Sequence, residues 1–308
     1  MSVPVSKELF AAVSSGVELC YQTFGGPENE PLVLVMGLGG PMIWWDPELC
    51  TMLAEAGFQV VRYDNRDVGR SSRIPGRVTR RQLVEAFLGR GGRPPYTLSD
   101  MAADAFGLMD HLGWDSAHVA GVSMGGMIAQ TMAIERSARV RSLTSIMSTL
   151  GKRTVGWQHP SLLPMLMAKR TPGRDAYIAT SAKTWQLIGS PGFRNDEEKE
   201  RERAGETFDR GVSASGVMRQ MLAVLNQPNR SQALGALRMP VAVVHGAEDK
   251  MVHVSGGRAT ARAIPGAELV VIDGMGHDLP SELFETYTEI IRRTADRAPR
   301  KSESDRSA

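Results

Sequence analysis

Residues 117–126, AHVAGVSMGG, limit what this chain can fold into more than any other stretch. Small apolar residues over 117–122 read as a buried strand, and 127–133 continues with good helix formers. Between them the chain must turn sharply, and a turn this tight is strained. Glycines two residues before and two after the serine remove Cβ atoms that would strike neighbouring backbone. The turn lifts a hydroxyl clear of the sheet, so Ser123 is the expected nucleophile.

Strand-like and helix-like segments alternate on either side of this turn. Residues 32–36 are apolar throughout, as in a strand covered on both faces, and 59–64, 140–147, 240–245 and 268–272 read as further strands. Residues 17–24 alternate and read as an edge strand in a hairpin with residues 9–13. Helices are expected over 47–56, 80–88, 99–112, 255–264 and 280–295, with Thr97 or Ser99 capping the third. Strands joined by helices imply an α/β fold with a mainly parallel sheet, helices on both faces and the functional site at the carboxyl ends of the strands. The alternation stops over 151–237, where helical patterns around 160–170, 174–188, 195–210 and 214–226 suggest an inserted helical cap. Residues 1–150 and 238–295 would then form the core, and the charged, Ser-rich 296–308 a disordered tail.

Composition narrows the class further. A chain of 308 residues, 42% hydrophobic and 23% charged, can bury a large core. A net charge of +2 gives no basis for nucleic-acid binding. There is no run of about 18 apolar residues and no apolar stretch after Lys7 that would serve as a signal peptide, which points to a cytoplasmic protein. Cys20 and Cys50 fall on a strand and a helix without metal-type spacing, and read as buried small hydrophobes rather than a disulfide.

A serine hydroxyl is a weak nucleophile at neutral pH and needs a base held by a third group. With the serine on this turn, acid and base come from loops after later strands. Asp249 lies in the loop after 240–245 and His277 in the glycine-flanked loop after the last strand, giving the order Ser123, Asp249, His277. Glu248 is the alternative acid. His245 is expected to pack at a strand end, His118 lies at the wrong end of its strand, and His111, His159 and His253 lack the loop context. Asp278 is expected to be solvated or locally hydrogen-bonded. A tetrahedral intermediate needs two fixed donors, and the backbone N–H groups of Met124 and Leu38 are the expected pair, the second within Met36-Gly37-Leu38-Gly39-Gly40. No metal or organic cofactor is called for.

Together, 36–40, 64–72, 121–126, Asp249 and 276–277 resemble the α/β-hydrolase superfamily. Within it the chain is similar to actinobacterial lipases and esterases related to aclacinomycin methylesterase, which carry Tyr-Asp-x-Arg-Asp-x-Gly-Arg-Ser after the third core strand. The resemblance implies the α/β-hydrolase fold, and a structural rather than catalytic loop over 64–72 with Asp64 paired to Arg66. Met36 stands where many relatives carry His. A serine rather than an aspartate on the turn argues against dehalogenation and epoxide opening. The implied reaction is hydrolysis of a carboxylic ester or thioester, of a small molecule or lipid, through an acyl-enzyme. The alternatives are C–C hydrolysis, cofactor-free perhydrolysis, or ligand sensing by an intact triad. Gly37, Trp44, Trp45, Trp157, Leu162 and Trp185 are candidates to line an apolar acyl pocket. The Arg-rich 66–95 segment reads as a solvated loop or as a basic amphipathic element resting on anionic lipid. Oligomeric state is left open.

Overall fold

Apolar and β-branched runs form the strands β1 (Leu9–Ala12), β2 (Glu18–Phe24) and β3 (Glu30–Val35). Helix α1 (Pro47–Glu55) starts where Asp46 accepts from the Glu48 N–H and Pro47 presets the first turn. Strand β4 (Phe58–Tyr63) follows, then α2 (Arg80–Phe87) and α3 (Leu98–His111), each opened by a capping box, Thr79 with Gln82 and Thr97 with Asp100. The chain continues through β5 (Ala117–Val122), α4 (Met124–Glu135) and β6 (Val140–Ile146). Five helices come next: α5 (Leu163–Met167), α6 (Arg174–Ile188), α7 (Glu197–Asp209), α8 (Ala214–Leu225) and α9 (Ser231–Leu234). Strand β7 (Val241–Gly246), α10 (Ser255–Ala263), β8 (Glu268–Ile272) and α11 (Phe284–Asp296) complete the chain. The computed structural model describes residues 2–14, 16–167, 172–194 and 196–299. Of the expected disordered tail over 296–308, Asp296 ends α11 and Ala298 is buried, so the chain stays packed past the expected start, and 300–308 lie outside the described residues.

The strands form one sheet in the order β1-β2-β4-β3-β5-β6-β7-β8, parallel from β4 to β8 and antiparallel at β1 and β2. Phe106 and Met109 of α3 and Ile128 and Met132 of α4 pack on one face, and Leu49 and Leu53 of α1 with Tyr287 and Ile290 of α11 on the other. Leu32, Val33, Leu34 and Val35 are completely buried because both faces are covered. The expectation of an edge strand over 17–24 is corrected. Strand β2 lies between β1 and β4, with Tyr21 opposite Leu9 on one side and Tyr63 on the other, and β1 takes the edge. Its central Leu19, Cys20 and Tyr21 are all buried, which alternation at its ends concealed.

Three charged residues in the loop after β4 tie the fold together, and the expected Asp64–Arg66 pair does not form. Asp64, completely buried, accepts from the N–H groups of Met42 at 2.7 Å and Arg70 at 2.9 Å, and from Arg210, just past α7, at 2.6 Å. A turn closed by Val68 N–H to the Asn65 carbonyl carries Arg66 toward α3, where it meets both carboxylate oxygens of Asp104 at 2.6 and 2.7 Å. Asp67 receives a bidentate pair from Arg219 of α8 at 2.8 and 2.6 Å, the Tyr96 hydroxyl at 2.8 Å and the Ile74 N–H at 2.9 Å. Gly69 has φ +50°, and a Cβ there would sit 2.1 Å from the Asp64 carboxylate.

Removing one partner of a buried ion pair strands the other charge, at a cost of about 3–5 kcal/mol. Arg219→Met is therefore expected to lower unfolding stability by about 3 kcal/mol or more, whereas Arg81→Met, which breaks the exposed pair with Glu85, leaves it unchanged within error. Urea unfolding of both variants checks the contrast.

Candidate active site

Strand β5 delivers Ser123 onto a turn with φ +57° and ψ −119°, a region that side chains other than glycine rarely adopt. The surrounding glycines make this possible by close approach. A Cβ on Gly121 would lie 2.2 Å from the Gly125 carbonyl oxygen, and one on Gly125 would lie 2.0 Å from that of Val35. Gly126 faces Ser148, whose hydroxyl donates to the Ser123 carbonyl at 2.8 Å. Helix α4 starts directly after Ser123, so its N-terminal end points at the serine.

Asp249 and His277 reach the same point from the ends of β7 and β8. His277 Nε2 lies 3.0 Å from Ser123 Oγ and its Nδ1 lies 2.8 Å from Asp249 Oδ2, so the three predicted residues form one hydrogen-bonded chain. Glu248 takes no part in it. The other Asp249 oxygen accepts the N–H groups of Met251 and Val252, both at 2.8 Å. Burial pushes the Asp249 pKa up, but the His277 charge and hydrogen bonds from His245 and His277 outweigh it and hold the carboxyl at about 2. His245 packs at the end of β7 as expected, with Nε2 bonded to the Val252 carbonyl at 2.7 Å.

The His277 loop is held by the insertion between β6 and β7. Its N–H donates to the Ile188 carbonyl at the end of α6 at 2.7 Å, and the Gly276 N–H donates to Ser190 Oγ at 2.8 Å. A Cβ at Gly276 would lie 2.3 Å from the Gly189 carbonyl oxygen, so only glycine fits this junction. Ser190 donates in turn to Asp278, whose pKa burial raises against the hydrogen bonds from Ser190.

The loop after β3 rests against the serine turn. A Cβ at Gly37 would be 3.2 Å from Ser123 Cβ, which places the neighbouring Leu38 backbone beside the site. The N–H groups of Leu38 and Met124 donate no hydrogen bond among the described residues. The Gly39 N–H, by contrast, donates to Gln220 Oε1 of α8 at 2.8 Å, and Gln220 Nε2 donates to the Arg66 carbonyl at 2.9 Å. Gln220 is completely buried. Sequence reasoning missed Gln220 and Ser190, because both lie in the insertion, far from any motif, and act through groups that only folding brings to them.

The pocket candidates separate. Trp44 and Trp185 meet edge-to-face at 5.3 Å with the Arg203 guanidinium over both rings, and Trp44 Nε1 donates to Thr207 at 2.9 Å, fastening α6 and α7 to the end of the Gly37 loop. Trp45 is fully buried in the core cluster that includes Leu49 and Leu53 of α1, and Trp44 packs against the same cluster. Leu162 is fully buried, and Trp157 is half exposed and stacked on His253 at 4.2 Å. Cys20 and Cys50 are free and buried, and burial pushes both thiols up to about 12. Among the described residues no group of three or more His, Cys, Asp or Glu side chains is arranged to hold a metal.

Residues 30–282 match the family model for the alpha/beta hydrolase fold. The chain is 30% identical over 302 residues to the rhodomycin D methylesterase DauP of Streptomyces sp. strain C5, covering 89% of this chain and 94% of that protein. It is 27% identical to 3-oxoadipate enol-lactonase 2 of Acinetobacter baylyi, covering 83% and 85%. The crystal structure of the esterase RhEst1 from Rhodococcus sp. ECU1013 superposes with a TM-score of 0.71 at 19% identity, covering 97% of this chain and all of that one.

The depressed Asp249 pKa has a sign that can be checked. A carboxylate held below its ordinary 3.8 contributes stability that is complete above that value and is lost as pH falls toward about 2. Asp249→Asn is therefore expected to be less stable than the parent at neutral pH by about 2 kcal/mol, with the gap closing below pH 4. Urea midpoints of both proteins across that range measure it.

Proposed function

We propose that this chain, which belongs to the alpha/beta hydrolase fold family, cleaves carboxylic esters by nucleophilic catalysis at Ser123. The observation that carries the reading is the hydrogen-bonded chain from Asp249 through His277 to Ser123. His277 Nε2 accepts the Ser123 proton as Oγ attacks the ester carbonyl, and Asp249 holds Nδ1–H and stabilises the imidazolium. The oxyanion of the tetrahedral intermediate takes hydrogen bonds from the free N–H groups of Leu38 and Met124, each worth about 3–4 kcal/mol in comparable sites. His277 returns the proton to the departing alcohol, and water releases the acyl group by the same steps in reverse order of roles.

In this reading the insertion over 151–237 is a cap that also completes the site. Ile188 and Ser190 hold the His277 loop, and Gln220 holds Gly39 beside the oxyanion donors. Trp44 and Trp185 form one wall at the junction of cap and core. The relatives named methylesterase and enol-lactonase support an ester with a small or cyclic alcohol portion, and thioesters are open to the same chemistry.

Two outcomes test this function. The purified protein is expected to hydrolyse methyl and p-nitrophenyl esters and to label with a fluorophosphonate. Ser123→Ala should lose the label and lower turnover roughly 10⁴-fold or more with an unchanged melting temperature. A variant that turns over like the parent would overturn the assignment. Gln220→Leu, which strands the Gly39 N–H, is expected to lower kcat about tenfold with KM within about twofold, since the loss acts through a displaced donor. Reduced stability with unchanged kcat would make Gln220 structural only.

A further inference from the structure

Helix α2 has an inner and an outer face of opposite character. Inside, Val78 and Ala86 are buried against Leu222 of α8, with Leu83, Met218 and Leu225 packed around them. Outside, Val84, Phe87 and Leu88 are 57, 69 and 58% exposed. Positions i, i+3 and i+4 share one side of a helix, so these form a single apolar tip. The inner face is held by α8, so the tip cannot roll into the core.

Cations flank this tip in the sequence. Five arginines against one glutamate leave +4 over residues 77–93, compared with +2 for the whole chain. The glutamate, Glu85, is already paired with Arg81. Arg77, Arg80, Arg90 and Arg93 are exposed and pair with no carboxylate among the described residues. Arg153, from the start of the insertion, donates to the Phe87 and Ala86 carbonyls at 2.6 and 2.8 Å, completing the C-terminal end of α2 and adding a guanidinium beside Phe87.

We propose that α2 is a docking foot for an anionic lipid surface, with Val84, Phe87 and Leu88 entering the boundary between headgroups and acyl chains and the arginines binding lipid phosphates. A small apolar tip flanked in the sequence by exposed cations that pair with no carboxylate among the described residues matches a flat anionic surface, since long arginine stems let the charge stay at headgroup level while the apolar tip enters. Three side chains fall short of the roughly 800 Å² that each partner of a stable protein complex buries. Binding would be peripheral: no helix among the described residues is long and apolar enough to cross a membrane. Helix α8 connects the foot to the site, because its outer side supports α2 and its Gln220 holds Gly39. Docking would thus present the site to esters dissolved in the lipid. That last step rests on the ester reading above, whereas docking itself does not.

Co-sedimentation of the full chain with vesicles of phosphatidylglycerol and phosphatidylcholine, against phosphatidylcholine alone, tests it without turnover. The expected result is binding to the anionic vesicles at least tenfold tighter than to neutral ones, and weakened by high salt. Phe87→Ser/Leu88→Ser and Arg80→Gln/Arg90→Gln should each weaken binding about tenfold or more, with melting temperature and kcat on a soluble short-chain ester unchanged. Equal, negligible binding to both vesicle types would overturn the proposal. So would anionic binding that survives both double variants. A concentration-dependent dimer abolished by Phe87→Ser/Leu88→Ser would assign the face to self-association instead.

Discussion

Two buried carboxylates after β4 hold the two parts of this molecule in one geometry. Asp64 takes Arg210 and Asp67 takes Arg219, and both arginines belong to the insertion between β6 and β7. Desolvating such charges is costly, and the attraction repays it only where every lone pair and proton finds a partner. Here Met42, Arg70, Ile74 and Tyr96 supply the remaining bonds to the two carboxylates, and of the two guanidiniums only the buried Nε of Arg210 is left without a partner among the described residues. Pairs that are this directional tolerate little sliding, which is what a site shared between core and insertion requires. The same loop orders the far side through Arg66 and Asp104 of α3. A single turn of chain therefore sets where α3, α7 and α8 sit relative to the sheet.

The site depends on that positioning at three contacts. Ile188 accepts from His277, Ser190 accepts from Gly276, and Gln220 accepts from Gly39. Each is a bond to backbone, so it restrains a loop rather than supplying a reactive group. The three hydrogen-bonded side chains come from the same ends of the parallel strands β5, β7 and β8, with β6 between the first two, so the sheet order brings them to one end of the sheet. Their separations of about 3 Å demand more than proximity, and the insertion contributes the difference. Glycines 121, 125 and 276 serve the same end from the other direction, since each stands where a Cβ would overlap a carbonyl oxygen.

Much of this was legible in the chain. The Gly-x-Ser-x-Gly turn, the apolar run of β3 and the glycine-flanked His277 are local patterns whose physics is complete within a few residues. So is the burial of Cys20 and Cys50, which follows from residue type and period, while the cap of α3, open between Thr97 and Ser99 in the sequence, falls to Thr97. Alternation misled at β2, because the strand is covered by neighbours on both edges and periodicity reports faces rather than edges. Trp45 was legible as apolar but not as core, since burial depends on how the turn after β3 packs against α1 rather than on residue type.

What the sequence by itself determined was most of the elements, though not α9, their mainly parallel arrangement, and the three side chains that meet at the serine turn. These rest on period, turn chemistry and chain order, all short-range quantities. Only the tertiary structure decided which charges pair. Asp64 and Arg66 stand two residues apart, yet they turn to Arg210 and Asp104, because a buried charge is satisfied by whichever counter-charge the packed helices bring to it. Gln220 carries no local signal for the same reason. Its value lies in two backbone groups from residues 39 and 66 that share no sequence neighbourhood with it until the chain has folded.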